Sequence, residues 1–385
     1  FVVGILVFNF SATAELRAGA AARLITPDPL LPISGGVGIP RPVQEKKGDL
    51  FARALVLEKD GLRVALVGVD NIGLPGVLLD KARAQVQGIP PENILISATH
   101  THSAPDAYGF PDSQGGHTAD LGYLEFMCAE IAAAINEAVT TLRPAHLKVA
   151  VGEAADRIAW NAYAPALFDP RCSVLQALDA DGKTIATLVN YAVHPEVLGP
   201  RMGILSPDLC GPLYDRVEKV AGGTAIFING ALGGMVTADN RIPDTAREET
   251  QTWEECVRIG TLLADEALRI IADAPVQQDP AVYIASADVT FPIDSEMMRG
   301  LVSGSPIMKM NPDNSVTTRL CLLQAGSAQM LSIPGEALPN IGAYLKRKMP
   351  GDHDFLLGLT HDAFGYIRRY LEMQSQVHPD RFARA

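Results

Sequence analysis

Three places in the chain set metal-binding side chains at the ends of apolar runs. The densest is Ser97-Ala98-Thr99-His100-Thr101-His102-Ser103-Ala104-Pro105. A strand that continued through this run would put His100 and His102 on one side, because side chains alternate with period two. Two imidazoles there suit a metal, or a metal ligand beside an acid/base. The second place is His194, which closes the run Leu188-Val189-Asn190-Tyr191-Ala192-Val193. Pro195 follows it and stops strand pairing. The third is Glu336, just past Ile333-Pro334-Gly335. Taken alone, His194 and Glu336 say little, since single histidines are more often structural and carboxylates after Pro-Gly are common on surface loops. Together with His100 they make a two-histidine, one-carboxylate set, the zinc set that leaves a position open for water or substrate. Such a set accepts other borderline metals as well as Zn2+.

The elements that must position these residues alternate between strand-like and helix-like patterns. Ala54–Leu57 and Val64–Val69 predict strands, with Asp60-Gly61 turning between them. Ile94–Thr99, Ile185–Val189, Ala225–Ile228, Val289–Phe291 and Ala328–Ile333 predict further strands. Leu124, Met127, Ile131, Ile135 and Val139 fall at helical spacing within Tyr123–Thr141. A long helical pattern covers Thr245–Ala272 and begins acidic, as a helix N-terminus prefers. Ser206-Pro207-Asp208 opens another helix to about Val220, with Ser206 expected as its cap and Asp208 in its first turn. Asp208 could instead orient a ligand, and Asp70, at the end of the Val64–Val69 strand, is a candidate for either part. This alternation predicts an α/β fold, mixed sheets packed with helices, with its active site on strand-end loops. No internal repeat or low-complexity linker divides residues 15–385, so we expect a single catalytic domain there.

Composition narrows the function. The net charge is −12, and no basic cluster exceeds Lys346-Arg347-Lys348; nucleic-acid binding is therefore not expected. An acidic surface gives no broad pull toward anionic membranes, yet an apolar rim would still permit peripheral membrane contact and a lipid substrate. Phe1–Phe10 followed by Ala12-Thr13-Ala14 has the form of the apolar core and cleavage site of a secretory signal. Residues 1–14 are thus expected to be a signal remnant and the protein secreted or periplasmic; a buried first strand is the alternative. None of the five cysteines forms a C-x-x-C pair, so a cysteine zinc site is not expected. Cys128 and Cys256 sit in helical patterns as small core residues.

These motifs resemble, in order along the chain, those of neutral/alkaline (non-lysosomal) ceramidases. Ala18–Pro27, ending Ile25-Thr26-Pro27, is similar to the family's opening strand. Ser97–Pro105 resembles its Ala-Thr-His-Thr-His-Ser-x-Pro signature, Tyr191–Pro195 its second histidine motif, and Ile333–Glu336 its Pro-Gly-Glu motif. Gly358–Ile367 is similar to the segment carrying its tyrosine ligand. The resemblance implies zinc held by His100, His194, Glu336 and Tyr366, with His102 acting beside it. It also implies hydrolysis of the amide bond of ceramide by attack of metal-activated water.

The chain departs from that pattern in the stretch Leu232–Asn240. The family has Gly-Asp-Val-Ser-Pro-Asn there, with a serine important for activity; here Thr237 falls at the serine and Met235 replaces the aspartate. Thr237 is therefore the second catalytic candidate beside His102. Gly233-Gly234 could equally be a tight turn without chemistry. Arg157 is not assigned to the site, no downstream tyrosine after Tyr366 matches the family's, and the family's C-terminal immunoglobulin-like domain is not expected within residues 15–385, through either truncation at Ala385 or a shorter branch. The departures keep two other functions open: a different metal-dependent hydrolase acting on an ester or another amide, and a zinc-containing homologue with a binding role.

Overall fold

The computed structural model describes residues 15–36, 38–243 and 249–367. The expected signal remnant, residues 1–14, and the tail from 368 onward lie outside the described residues. Eight strands form the main sheet: β1 (Arg17–Leu24), β2 (Phe51–Lys59), β3 (Leu62–Val69), β4 (Ile94–Ala98), β5 (Arg143–Glu153), β6 (Arg171–Asp179), β7 (Thr184–Tyr191) and β8 (Thr224–Asn229). Their order is β8-β7-β6-β5-β1-β2-β3-β4. β3 with β4 and β7 with β8 are parallel pairs; the other neighbours are antiparallel. A second sheet joins β9 (Val282–Pro292), β10 (Ser315–Ala325), β11 (Ala328–Ser332) and β12 (His353–Leu357) in that order. The mixed α/β architecture is the one the sequence predicts.

Both faces of the main sheet are buried, and this follows from strand alternation. Ala54, Val56, Val67 and Ile96 face one core, which they share with helices α1 (Gly76–Arg83) and α2 (Leu121–Thr140). The residues between them, Leu55, Leu57, Leu66 and Leu95, face a central core shared with Leu323, Met330 and Phe355 of the second sheet. On the other half of the sheet, Val174, Val189 and Phe227 pack against α3 (Cys210–Ala221) and α4 (Trp253–Ala272). α5 (Glu296–Gly304) lies between β9 and β10 in the chain, and α6 (Pro339–Lys348) between β11 and β12.

Local rules account for several boundaries. Asp60 (φ 50°) and Gly61 (φ 80°) form the two-residue turn of the β2–β3 hairpin, where both central residues need positive φ. Asp120 caps α2 by accepting from the Tyr123 amide at 2.8 Å. α4 begins at Trp253 instead of Thr245, because Thr252 supplies the cap by accepting from the Glu255 amide at 3.3 Å. Residues 245–248 of the expected helix lie outside the described residues.

Two further differences have physical causes. α3 starts at Cys210, not Ser206, and has no side-chain cap. Asp208 sits at φ 55°, a left-handed conformation that cannot belong to a right-handed helix. The Ser206 hydroxyl instead accepts from the Asp208 amide at 3.0 Å. β9 runs far beyond the expected Val289–Phe291; much of it, including Ser286, Asp288 and Thr290, is exposed, so apolar patterning could not reveal it. All five cysteines are buried thiols, and none is paired among the described residues.

Candidate metal centre

The parallel pairs β3–β4 and β7–β8 lie at opposite ends of the strand order, yet the segments just past them come together, and the site is built there: Asn229, the last residue of β8, donates to Thr99 O, just past β4, at 3.0 Å. β4 stops at Ala98, and the chain turns through His100, whose φ is 74°. His100 and His102 therefore meet because of this turn and not by alternation along a continuing strand. Their rings lie edge to face with centroids 4.7 Å apart. The His100 amide donates to Asn71 O at 2.9 Å and its Nδ1 contacts Ile72 O at 2.5 Å, both just past the end of β3. Beyond β7, the His194 amide and Nδ1 meet Val236 O at 2.8 and 2.9 Å. A carbonyl can only accept, so each Nδ1 carries a hydrogen, and Nε2 is the nitrogen left to offer a lone pair to a metal. That is the tautomer a metal ligand needs.

Both Nε2 atoms converge on one carboxylate oxygen. Oε2 of Glu336 is 3.3 Å from Nε2 of His194 and 3.7 Å from Nε2 of His100. Zinc ligands at about 2.0–2.2 Å in tetrahedral array are separated by roughly 3.3–3.6 Å. The 3.3 Å separation falls in that range and the 3.7 Å one lies just beyond it, close enough for a small side-chain shift to let one ion be held by these atoms. The donor set fits as well, because Oε2 of Glu336 and Nε2 of His102 are buried and make no hydrogen bond. Such orphaned polar atoms are costly in a folded protein unless something satisfies them. The ligand atoms of His100, His102 and His194 all lie within 4.8 Å of one another, so the third imidazole stands beside the centre.

Glu336 is placed from two directions. Its amide donates to Gly365 O at 2.8 Å, and Glu336–Ala337 pairs in parallel with Tyr366–Ile367. On the other flank, the Gly233 amide donates to Ala337 O at 2.9 Å. A Cβ on Gly233 would stand 2.3 Å from Glu336 O, so only glycine allows this approach. Gly233-Gly234 is therefore more than a turn: it packs against the strand that carries the carboxylate.

Burial dominates the electrostatics. It drives His100 down to about 3 against the pull of Glu336, and drives His102 down to about 3 with help from His194. Both imidazoles are neutral across ordinary pH. Burial also acts on His194, but contact with Glu336 and the charge of Glu196 overcome it and raise His194 to about 9. Burial alone would raise the Glu336 carboxyl; the charges of His100 and His194 outweigh it and hold the carboxyl below its usual range.

The other predicted residues occupy distinct places. Tyr366 lines the same cavity as the histidines, and its hydroxyl donates to Met235 Sδ at 3.0 Å. Met235 itself is at φ 62°. Thr237 is buried in the short strand Val236–Ala238 and is bridged to His194, but it is not among the residues lining the cavity. Arg157 pairs with Asp239 at 3.2 Å, outside the cavity wall. Asp70 accepts from the Phe51 amide and from the Tyr214 hydroxyl, tying β2 to α3. Asp208 is fully buried and accepts from the Leu198 amide at 2.9 Å, so it braces the loop after His194 and caps no helix.

Sequence reasoning missed Glu196, whose Oε2 lies 3.5 Å from Nδ1 of His102. Its place two residues after His194 was the available signal. The anchoring carbonyls of Ile72 and Val236 leave no sequence signal, since every residue carries one.

A cavity of about 1310 Å³ opens from the centre. His100, His102, His194 and Glu336 line one part of it; Phe291, Met298, Val302 and Met308 line another, and Ile341 and Leu345 a third. A mostly apolar wall beside a few converging polar groups is the usual form of a small-molecule site.

No family model and no curated protein matches the chain. Solved structures do match. A neutral ceramidase from Pseudomonas aeruginosa superposes with a TM-score of 0.75 at 18% identity, covering 94% of this chain and 70% of that one. A structure described as ceramidase complexed with C2 gives a TM-score of 0.73 at 17% identity, covering 94% and 71%. At these identities the likeness establishes a shared fold.

Proposed function

We propose that this protein is a zinc-dependent amidohydrolase that cleaves the amide bond of ceramide or a related N-acyl lipid. The observation that carries this is the convergence of Nε2 of His100 and His194 on Oε2 of Glu336, in a cavity that Phe291, Met298, Val302, Met308, Ile341 and Leu345 also line. The ceramidase fold of the two neighbours supports the choice of substrate class. His100, His194 and Glu336 would hold the metal, with Tyr366 as the fourth protein ligand that the family resemblance implies. Bound zinc supplies Lewis acidity and lowers the pKa of its water to about 7.

The chain's own residues do the rest. Neutral His102 takes the proton of the attacking water and passes it to the departing nitrogen. Thr237, whose main chain is bridged to that of His194, is the candidate hydroxyl donor to the developing oxyanion that the family resemblance implies. Phe291, Met298, Val302 and Met308 bind hydrocarbon and keep water from it. Residues 1–14 would direct export, and peripheral contact with a lipid surface would bring substrate to the cavity. Among the described residues, no helix is long and apolar enough to cross a membrane.

The test is to purify the protein, quantify bound metal, and assay a fluorescent short-chain ceramide with and without chelator. About one zinc per chain and chelator-sensitive release of fatty acid are expected. Zinc without turnover of ceramide, other amides or esters would favour a second function, a zinc-holding binding protein. Thr237 off the cavity wall and the Tyr366–Met235 contact favour that second function. A protein that takes up no metal and hydrolyses nothing would sink both.

A further inference from the structure

Two of the three imidazoles are fixed by main-chain carbonyls, and one is not. Nδ1 of His100 meets Ile72 O and Nδ1 of His194 meets Val236 O. Nδ1 of His102 faces a carboxylate instead, with Glu196 Oε2 at 3.5 Å. The opposite nitrogen, Nε2, is buried and makes no hydrogen bond.

We propose that Glu196 is the positioning residue for His102: it keeps the ring hydrogen on Nδ1 and leaves the Nε2 lone pair beside the centre formed by His100, His194 and Glu336. This rests on the proposed hydrolase function for its consequence, that His102 is ready to receive a proton at Nε2. A carboxylate accepts only, so it selects the Nδ1–H tautomer as a carbonyl does. Unlike a main-chain carbonyl, it can be changed by substitution.

The surrounding loops are tied together to hold this pair. The Glu196 amide donates to His194 O at 3.0 Å, and the His102 amide donates to Pro195 O at 3.1 Å. The Thr101 hydroxyl donates to Ser206 O at 2.9 Å, and the Ser206 amide to Ser103 O at 2.9 Å. Asp208 takes the Leu198 amide at 2.9 Å and the Leu209 amide at 2.7 Å. The segment from His194 to Leu198 is therefore pinned at both ends, with Glu196 in its middle. Glu196 is not among the residues lining the cavity; it acts through His102 and does not touch substrate.

Glu196→Gln is the decisive substitution. It preserves shape, but its amide can donate to Nδ1 and so select the wrong tautomer. With zinc content unchanged, kcat should fall about 10- to 100-fold and KM stay within about twofold. Glu196→Asp should recover part of the loss. In the His102→Ala background, Glu196→Gln should cost nothing further, because residues acting as a unit are not additive. Nitrogen-15 NMR of the zinc-loaded protein gives a readout independent of turnover. His102 should be the Nδ1–H tautomer in the parent and lose that form in Glu196→Gln. An unchanged tautomer overturns the proposal, as does loss of zinc or a full second loss on top of His102→Ala. If the parent hydrolyses no amide, the hydrolase function fails, and the tautomer measurement alone decides the placement of Glu196.

Discussion

Oε2 of Glu336 stands 3.3 Å from Nε2 of His194, and one loop holds both residues in place. Gly233, in that loop, donates to Ala337 O beside Glu336, and Val236 O receives both the amide and the Nδ1 of His194. The pairing is thus a product of the fold around residues 233–236, and it has consequences that can be measured.

Without metal, His194 holds its proton up to about pH 9, because Glu336 and Glu196 outweigh the cost of burial. A metal must displace that proton. Affinity should therefore rise with pH, by about tenfold per unit between pH 6 and 8, and level off near 9. Competition with a chromophoric chelator at several pH values measures this; a flat profile would show that His194 is not a ligand.

Gly233→Ala drives a Cβ to within 2.3 Å of Glu336 O. The strand carrying the carboxylate must shift, at a cost of about 1–3 kcal/mol of stability. Zinc affinity should fall with it. Urea unfolding with and without zinc separates the two effects, and a variant with parental stability and affinity would refute the close-approach argument.

Burial raises the Asp70 carboxyl to about 6, against the charge of Arg53 and the bonds from Phe51 and Tyr214. In the unfolded chain it titrates near 3.9. Between about pH 4 and 6 the folded state holds the extra proton, so this group's contribution to stability falls as pH rises through that window. The swing is on the order of 2–3 kcal/mol. Asp70→Asn should flatten it, and denaturant unfolding at pH 4 and 6.5 would show whether it does.

Thr237→Val removes the hydroxyl and keeps the shape. If that hydroxyl donates to the oxyanion, kcat should drop about 10²-fold with zinc content intact, and Thr237→Ser should keep most activity. Equal kcat in parent and valine variant would take Thr237 out of the reaction.

Met298→Asp puts a charge on the apolar wall. KM for a long-chain amide should rise about tenfold or more, since each buried methylene is worth ~0.8 kcal/mol. A short-chain amide that does not reach Met298 should keep its KM. Equal effects on both chains would place the hydrocarbon elsewhere.

Much of the candidate site was legible because its side chains follow separate, locally marked strand ends. His100 and His102 follow the apolar β4, His194 follows β7, and Glu336 follows a Pro-Gly turn; His194 and Glu336 gain weight only in combination with His100 and from the family resemblance. Helix starts were less legible. Ser206 has the right type for a cap, yet the left-handed Asp208 ends that possibility. Half-exposed β9 lacked the apolar run that reveals a buried strand.

The sequence by itself therefore determined the residue types of the centre, the α/β class and the alternation that buries both faces of the main sheet. All of these depend on interactions that are local or periodic along the chain. Only the tertiary structure decided which nitrogen each imidazole offers, because the anchoring carbonyls of Ile72 and Val236 come from other loops. It likewise decided that Glu196 faces His102, and that Gly233 is needed against Glu336. Those are contacts between segments far apart in the chain, set by how the fold brings together the segments that follow β4 and β7.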